Sequence, residues 1–568
     1  MKPDYPGVGA DGIPVRYQRE TYVSMLQSGR IFLYVNLGGT AEVKLLSLFF
    51  GDEGFFLFLY LTESTTKQQF RKEAFMKIFP SPENLMEITG AYDILPVCAE
   101  LYADVVTPIS MIRRIAEKNS RFFLLESVEG GENWGRYSFL GCDPILHLTC
   151  SDGEIRLEGA EKKQLSSAAP LDTVREILSK YRSPKISGMP PFTGGFVGYF
   201  AYSMIGYAEP SLKISKGQFH DLDLMLFDKV IAYDHLKQKI SIIVNIKNDK
   251  LHLKQLYEDA LQEINRIAKL AAGQEPLNEP AAEPAIKDHP QFQCNVSKEE
   301  YCRMVEKTKE YIVDGDIFQA VISRQFVSGY SGSLLNAYRV LRTTNPSPYM
   351  VYLKIDDDEI MSTSPETLVR LQEGRLTTFP VAGSRPRGRD EEEDNRLEAE
   401  LLADEKELSE HNMLVDLGRN DLGKISQFGS VEVTQYKMIH KYSKIMHICS
   451  QVESGIRPGC DGCSAIEAVL PAGTLSGAPK IRACEIIEEL EKVPRGIYGG
   501  ALGYLDFSGN MDTCIAIRMA VKKNQKVYVQ AGGGIVADSV PENEYEESAN
   551  KAKAVIQAIM QAGEVDSI

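Results

Sequence analysis

Four glutamates on two segments supply the first chemistry the sequence suggests. In DEKELSEHNMLVDLGRNDLG, residues 404–423, Glu407, Glu410 and Leu414 fall at i, i+3 and i+7, one stripe of a helix. In PENEYEESANKAKAVIQAI, residues 541–559, Glu544 and Glu547 project from the first turns of a second helix, whose apolar stripe is Ala549, Ala552, Ile556 and Ile559. Two helices that each set a carboxylate beside an apolar stripe can build an oxygen-only site for a hard cation. Magnesium takes one or two protein carboxylates and fills its octahedron with water and substrate oxygens. Blander roles fit the same spacing: Glu547 with Lys551 makes an i, i+4 ion pair, and Glu407 with Glu410 a solvated face.

Groups suited to anions accompany them. VYVQAGGGIVADS runs as a strand into Gly532, Gly533 and Gly534, where backbone N–H groups can approach a carboxylate closely. PAGTLSGAPK turns into a helix over residues 480–491 whose amide-rich N-terminus attracts anions. Arg518 in DTCIAIRMA reads as part of an apolar strand, so it needs an anionic partner, either a substrate carboxylate or a structural one. No GxSxG, Walker A loop, strand-linked GxGxxG or kinase signature is present. The residues alone point to a magnesium-assisted enzyme acting on a small polycarboxylate.

The 568 residues that must position these groups exceed one compact core. A net charge of −16 argues against nucleic acid or an anionic membrane as the main partner. Ten cysteines without a framework fit a reducing cytosol, and the lone Cys460/Cys463 pair lacks the second pair a structural zinc needs. The apolar run 45–61 is broken by Gly51, Asp52, Glu53 and Gly54, too short and too charged for a membrane span. Residues 1–75 are Gly-rich and poorly periodic and are expected to be an extension of uncertain order, with MKIFPSPENLMEI at Met76 reading as a natural start. Beyond it, a helix is expected from Pro108 with Met111, Ile112 and Ile115 on one face, then a strand at 121–125. The Pro-, Ala- and Glu-rich stretch 270–295 reads as a linker, and Ser297 with Glu300 as a capping box. The chain thus divides near residue 285 into an N-terminal subdomain, 76–285, and a catalytic domain, 286–568. Mixed strands and helices indicate an α+β fold.

From about residue 90 onward the chain resembles the chorismate-utilising family, and within it the anthranilate-forming branch. The motifs that carry this are LLES, NPSPYM, STSPET, FPVAGSRPRG, the 404–423 segment, GTLSGAPK, YGGALGYL, DTCIAIR and QAGGGIVADSVPENEYEES, in family order. The resemblance implies a two-sheet sandwich with outer helices, subdomains sharing a core, and an N-terminal regulatory subdomain. It implies conversion of chorismate and ammonia to anthranilate and pyruvate, the first step of tryptophan biosynthesis, in the cytoplasm. Ammonia would come from glutamine through a separate amidotransferase subunit in a heterotetramer, because no Cys-His-Glu amidotransferase set is present.

By the same resemblance Glu410 and Glu547 are the magnesium ligands. Gly383, Ser384, Thr474, Tyr498, Arg518 and Gly532–Gly534 contact substrate, with Arg518 and the glycine amides on the enolpyruvyl carboxylate. Glu366 is the general acid that protonates the departing C4 hydroxyl, and His447 serves the pyruvate-releasing step. Ser127, Pro348, Tyr349 and Met350 hold tryptophan as feedback inhibitor. Relatives often carry threonine at position 384, and serine keeps the hydroxyl. Water-adding relatives place a lysine where Gln319 stands, and the para-aminobenzoate branch places one at Ala382; neither is present. The alternatives are an aminodeoxychorismate synthase or a tryptophan-binding regulator without catalysis.

Overall fold

The computed structural model describes residues 76–565 except 89, 105, 128–134, 272–289 and 443–444, and the backbone of four strands nearer the N-terminus. Those four, Thr21–Leu26, Arg30–Asn36, Val43–Gly51 and Gly54–Leu57, pair antiparallel in chain order within a unit of their own, Met1–Phe75. The linker expected at 270–295 lies mostly outside the described residues.

Met76–Ile568 forms the second unit. Its described strands make two antiparallel sheets of 12 and 13 strands. The 13-stranded sheet joins Arg121–Glu126, Tyr137–Cys142 and Lys239–Lys247 from the N-terminal half to Gln319–Gly329, Tyr349–Ile355 and Lys526–Ile535 from the C-terminal half. The 12-stranded sheet mixes the halves in the same way, pairing Gly195–Phe200 with Ala501–Asp506. Both expected subdomains therefore contribute to both sheets.

Alternation along each strand sends one side-chain set inward and the other outward. Phe123, Phe192, Val197, Phe227, Leu353, Leu502 and Tyr504 meet between the sheets. The outer face of the 13-stranded sheet packs on helices that include Pro108–Ala116, Leu253–Ala271 and Pro541–Gln561, and the other sheet's outer face on Pro170–Leu178 and Gly462–Val469. The result is the expected α+β sandwich with outer helices. Met111, Ile112 and Ile115 are buried as their spacing predicts, and the Ser297–Glu300 capping box starts the helix Lys298–Val313.

Two places where the chain changes sheets create the site. Asp358–Ser364 belongs to the larger sheet and Thr367–Gln372 to the smaller, with Pro365 and Glu366 between them. Met511–Ile515 returns the chain from the smaller to Met519–Lys523 of the larger, across Arg518. The crossings are stitched together: the Ile515 amide donates to the Glu366 carbonyl at 3.0 Å and the Thr363 amide to the Arg518 carbonyl at 3.1 Å.

Candidate active site

Glu366 lies on the first crossing with its carboxyl held by one hydrogen bond, from Thr474 Oγ1 to Oε1 at 3.1 Å. Burial pushes its pKa up to about 8, the Thr474 bond opposes the rise, and the negative charge of Glu410 adds to it. A carboxyl of this kind keeps its proton at neutral pH and can deliver it.

His447 sits on the strand Ile445–Gly455, opposite Ser384 of Val381–Pro386. Its Nδ1 is 2.9 Å from the Gly383 carbonyl, which can only accept, so Nδ1 carries the proton and Nε2 holds a lone pair. Burial lowers its pKa and the Arg518 charge lowers it further, against the Gly383 bond. The imidazole is thus a neutral base. Gly383 adopts φ +65°, and a Cβ there would lie 3.1 Å from Glu407 Oε2.

The helix Glu405–Gly423 starts on Asp404, whose side chain accepts from the amides of Lys406 and Glu407. It leads Glu407 and Glu410 to the site, and the buried His411 pins it to Ser450 Oγ at 2.6 Å. Pro541–Gln561 brings Glu544 and Glu547. Glu410 is pushed above the usual carboxylate range by burial first, then by the negative charges of Glu407 and Glu547. Glu407 and Glu544 are raised for the same kinds of reason, and Glu547 acts on both. The carboxylates of the two helices therefore share one locality and repel one another. The blander ion pair is present too: Glu547 meets Lys551 at 2.8 Å, and Lys551 Nζ also donates to the Gly532 carbonyl at 3.1 Å.

Among the described residues no three His, Cys, Asp or Glu side chains are grouped to hold a metal by themselves. Like charges crowded on partly buried helices are the environment a divalent cation relieves, so the donor set fits the ion.

Arg518 departs from expectation. It lies outside any strand, at φ +47°, because the apolar run DTCIAIRMA covers two strands and the crossing between them. Its charge faces Tyr498 and Glu547. Burial draws its pKa down from the ordinary value, yet a guanidinium stays a cation. It lines an open cleft of about 380 Å³ with Glu547 and Lys551. Tyr498 is buried beside the Gly532 backbone with its pKa pushed up to about 12, so it remains a hydrogen-bond donor.

Gly532–Gly534 pair with Ser323, Ile322 and Val321 of Gln319–Gly329. A Cβ on Gly532 would come within 2.3 Å of the Ile322 carbonyl, and one on Gly533 within 2.9 Å of Glu544 Oε2. Neither position admits a side chain without moving its neighbours. Gln319 fills the space Gly534 leaves, and its Oε1 is buried without a partner. Hydrogen bonds and mutual electrostatic influence thus link Thr474, Glu366, Glu410, Glu547, Arg518, His447, Gly383, Tyr498 and Gly532, and Ser384, next to Gly383, is exposed.

The family model described as chorismate binding enzyme matches residues 120–557. The chain is 45% identical over 494 residues to anthranilate synthase component 1 of Acetivibrio thermocellus, covering 86% of this chain and 99% of that relative. This chain belongs to the chorismate-binding enzyme family. The crystal structure of anthranilate synthase component I from Streptococcus pneumoniae TIGR4 superposes with a TM-score of 0.65 at 37% identity, over 75% of this chain and 93% of that one. The menaquinone-specific isochorismate synthase of Escherichia coli shares the fold, with a TM-score of 0.61 at 19% identity over 84% and 97% of the two chains.

In this chorismate-binding enzyme a second cavity of about 600 Å³ lies between strands of the two sheets and is lined by Ser127, Pro348, Tyr349 and Met350. Tyr349 and Met350 point to opposite faces of their strand, and Met350 is fully buried in the hydrophobic core. Sequence reasoning missed the charges around it. Asp512 accepts from Tyr349 Oη at 2.8 Å and pairs with Arg370 at 3.1 Å. Glu126, buried at the end of Arg121–Glu126, accepts from Arg342 Nε and Nη2 at 3.0 Å each and from Tyr338 Oη at 2.6 Å. An acidic residue closing the apolar strand RFFLLE was the available signal. Among the described residues no helix is long and apolar enough to cross a membrane.

Proposed function

We propose that this chain works as the synthase subunit of anthranilate synthase, making anthranilate and pyruvate from chorismate and ammonia. The observation that carries the reading is Glu366: a carboxyl kept protonated by burial, on the same locality as Glu410, Arg518 and a neutral His447.

Glu410 and Glu547 would hold magnesium, which supplies positive charge for the ring carboxylate. Arg518, Tyr498 and the Gly532–Gly534 amides take the enolpyruvyl carboxylate. Glu366 gives its proton to the C4 hydroxyl, which leaves as water while the double bonds shift and ammonia bonds to C2. Gln319 supports an ammonia nucleophile, because a neutral amide cannot serve as the base that water would need; its Oε1 is buried and without a partner. His447 then takes the C2 proton through Nε2, the electron pair restores the aromatic ring as the C3–O bond breaks, and the departing enolate takes up a proton at its methylene carbon to give pyruvate. Glutamine-derived ammonia would require a separate amidotransferase subunit. The ten free cysteines suit a cytoplasmic home.

Incubating the purified chain with chorismate, magnesium and ammonium is expected to yield fluorescent anthranilate and equimolar pyruvate. A non-fluorescent aminated product without pyruvate overturns the reading in favour of the para-aminobenzoate branch. With His447→Gln, amination is expected to continue while pyruvate release falls by about 10²–10⁴, so an aminated cyclohexadiene accumulates. Simultaneous loss of both steps would remove His447 from this role.

The 600 Å³ cavity suits an amino acid with an indole ring, and we assign it to tryptophan as feedback inhibitor. Tyr349 Oη lies 2.9 Å from Thr367 Oγ1, one residue after Glu366, which gives the cavity a short connection to the acid. Tyr349→Phe is expected to raise the tryptophan concentration for half-inhibition by about tenfold, the effect of one lost hydrogen bond of ~1.4 kcal/mol, with the uninhibited rate little changed. An unaltered inhibition curve would exclude Tyr349 from the response.

A further inference from the structure

The strand Gln319–Gly329 buries a guanidinium that the reaction scheme leaves unused. Arg324 is 1% exposed, among the largest fully buried side chains, and among the described residues it makes no ion pair. Its Nε donates to Ser548 Oγ at 3.0 Å and its Nη2 to the Tyr545 carbonyl at 2.6 Å. Ser548 Oγ donates to that same carbonyl at 2.8 Å. The Arg324 Cζ lies 3.7 Å from the centroid of the Tyr545 ring, with Phe326 and Tyr301 at 5.1 and 5.3 Å.

A cation buried without a carboxylate gives up solvation that a methionine in the same space would keep no need of. The aromatic faces return part of it. What only the guanidinium supplies is direction, a planar fork whose donors have fixed angles. Both of its strong hydrogen bonds end on the helix Pro541–Gln561, at residues 545 and 548, which bracket Glu547 and follow Glu544. With 3.6 residues per turn, holding two positions three apart fixes both the rotation and the axial position of that turn. Arg324 also pairs with Ala531, next to Gly532, so one residue refers the carboxylate helix to the glycine strand.

We infer that Arg324 is the positioning residue for the divalent cation: it sets Glu547 against Glu410 and thereby sets the affinity of the site. This rests on the magnesium reading given above. The experiment titrates Mn²⁺ into the full chain with chorismate present and ammonia absent, reading free Mn²⁺ by electron paramagnetic resonance. Arg324→Met is expected to weaken Mn²⁺ binding by about 10–100-fold, the usual effect of removing a group that orients a metal ligand. At saturating magnesium its kcat should stay close to wild type. Arg324→Lys keeps the charge without the fork and is expected to weaken binding as well, and Ser548→Ala, which removes only one acceptor, by several-fold. The last variant decides the matter should Arg324→Met fail to fold. Folded variants that bind Mn²⁺ as tightly as wild type overturn the inference alone. A wild-type chain that binds no Mn²⁺ overturns the magnesium reading and the inference with it.

Discussion

Glu366→Gln is expected to lower kcat by about 10²–10⁴, the usual contribution of a positioned general acid. Glutamine keeps the shape and can still accept from Thr474, so the loss isolates the proton. The sign of the pH dependence follows from the raised pKa. The protonated form is active, so wild-type kcat/KM should hold on the acid side and fall as pH rises through about 8, and the variant's residual rate should lack that limb. Stability falls in the same direction. A carboxyl whose folded pKa is raised stabilises the fold fully below its unfolded value near 4.5, and that contribution is lost as pH rises towards about 8. At pH 7.5 the variant should therefore melt higher than wild type while being nearly inactive. A variant that melts lower and keeps its alkaline limb would show that Glu366 is a packing residue.

Glu547→Gln is expected to remove magnesium-dependent turnover altogether at millimolar magnesium. Glu547 is the half-exposed member of the cluster and already pairs with Lys551, so its loss disturbs little packing. Its charge is nonetheless felt by Glu407, Glu410 and Glu544, all raised above the usual carboxylate range. In mildly acidic buffer, where raised carboxyls still hold protons, magnesium binding should consequently release them, because a cation at the cluster pulls those pKa values back down. Calorimetry in two buffers of different ionisation enthalpy measures that release. Glu547→Gln should abolish it and leave tryptophan binding intact. Wild-type activity in Glu547→Gln, or an unchanged proton release, would exclude Glu547 as a ligand.

The glutamate-bearing helices were legible because each sets carboxylates beside apolar positions at helical spacing; in the structure Asp404 caps the first and Pro541 opens the second. The crossings were not. Arg518 reads as a strand residue because Ala516 and Ile517 carry the apolar texture from one strand into the next, and only the pairing of those strands with different sheets reveals the turn. The C-terminal helix shows a related limit. Its buried face holds Glu544, Ser548, Ala552, Val555 and Ile559, whereas Ala549 and Ile556 of the expected stripe are only partly covered. A hydrophobic count cannot see that Arg324 draws Ser548 inward. The polar partners of the inhibitor cavity, Glu126 and Asp512, were hidden for the same reason: each is ordinary in its own segment and acquires meaning only across strands far apart in sequence.

Crystals of the chain grown with Mn²⁺ and a non-reactive cyclohexadiene or benzoate carboxylate offer the most direct measurement. The anomalous signal of manganese should place one ion between Glu410 and Glu547, with the ring carboxylate on its open side and Arg518 facing the bound acid. Manganese bound elsewhere, or a carboxylate held with neither glutamate near the metal, would contradict the account.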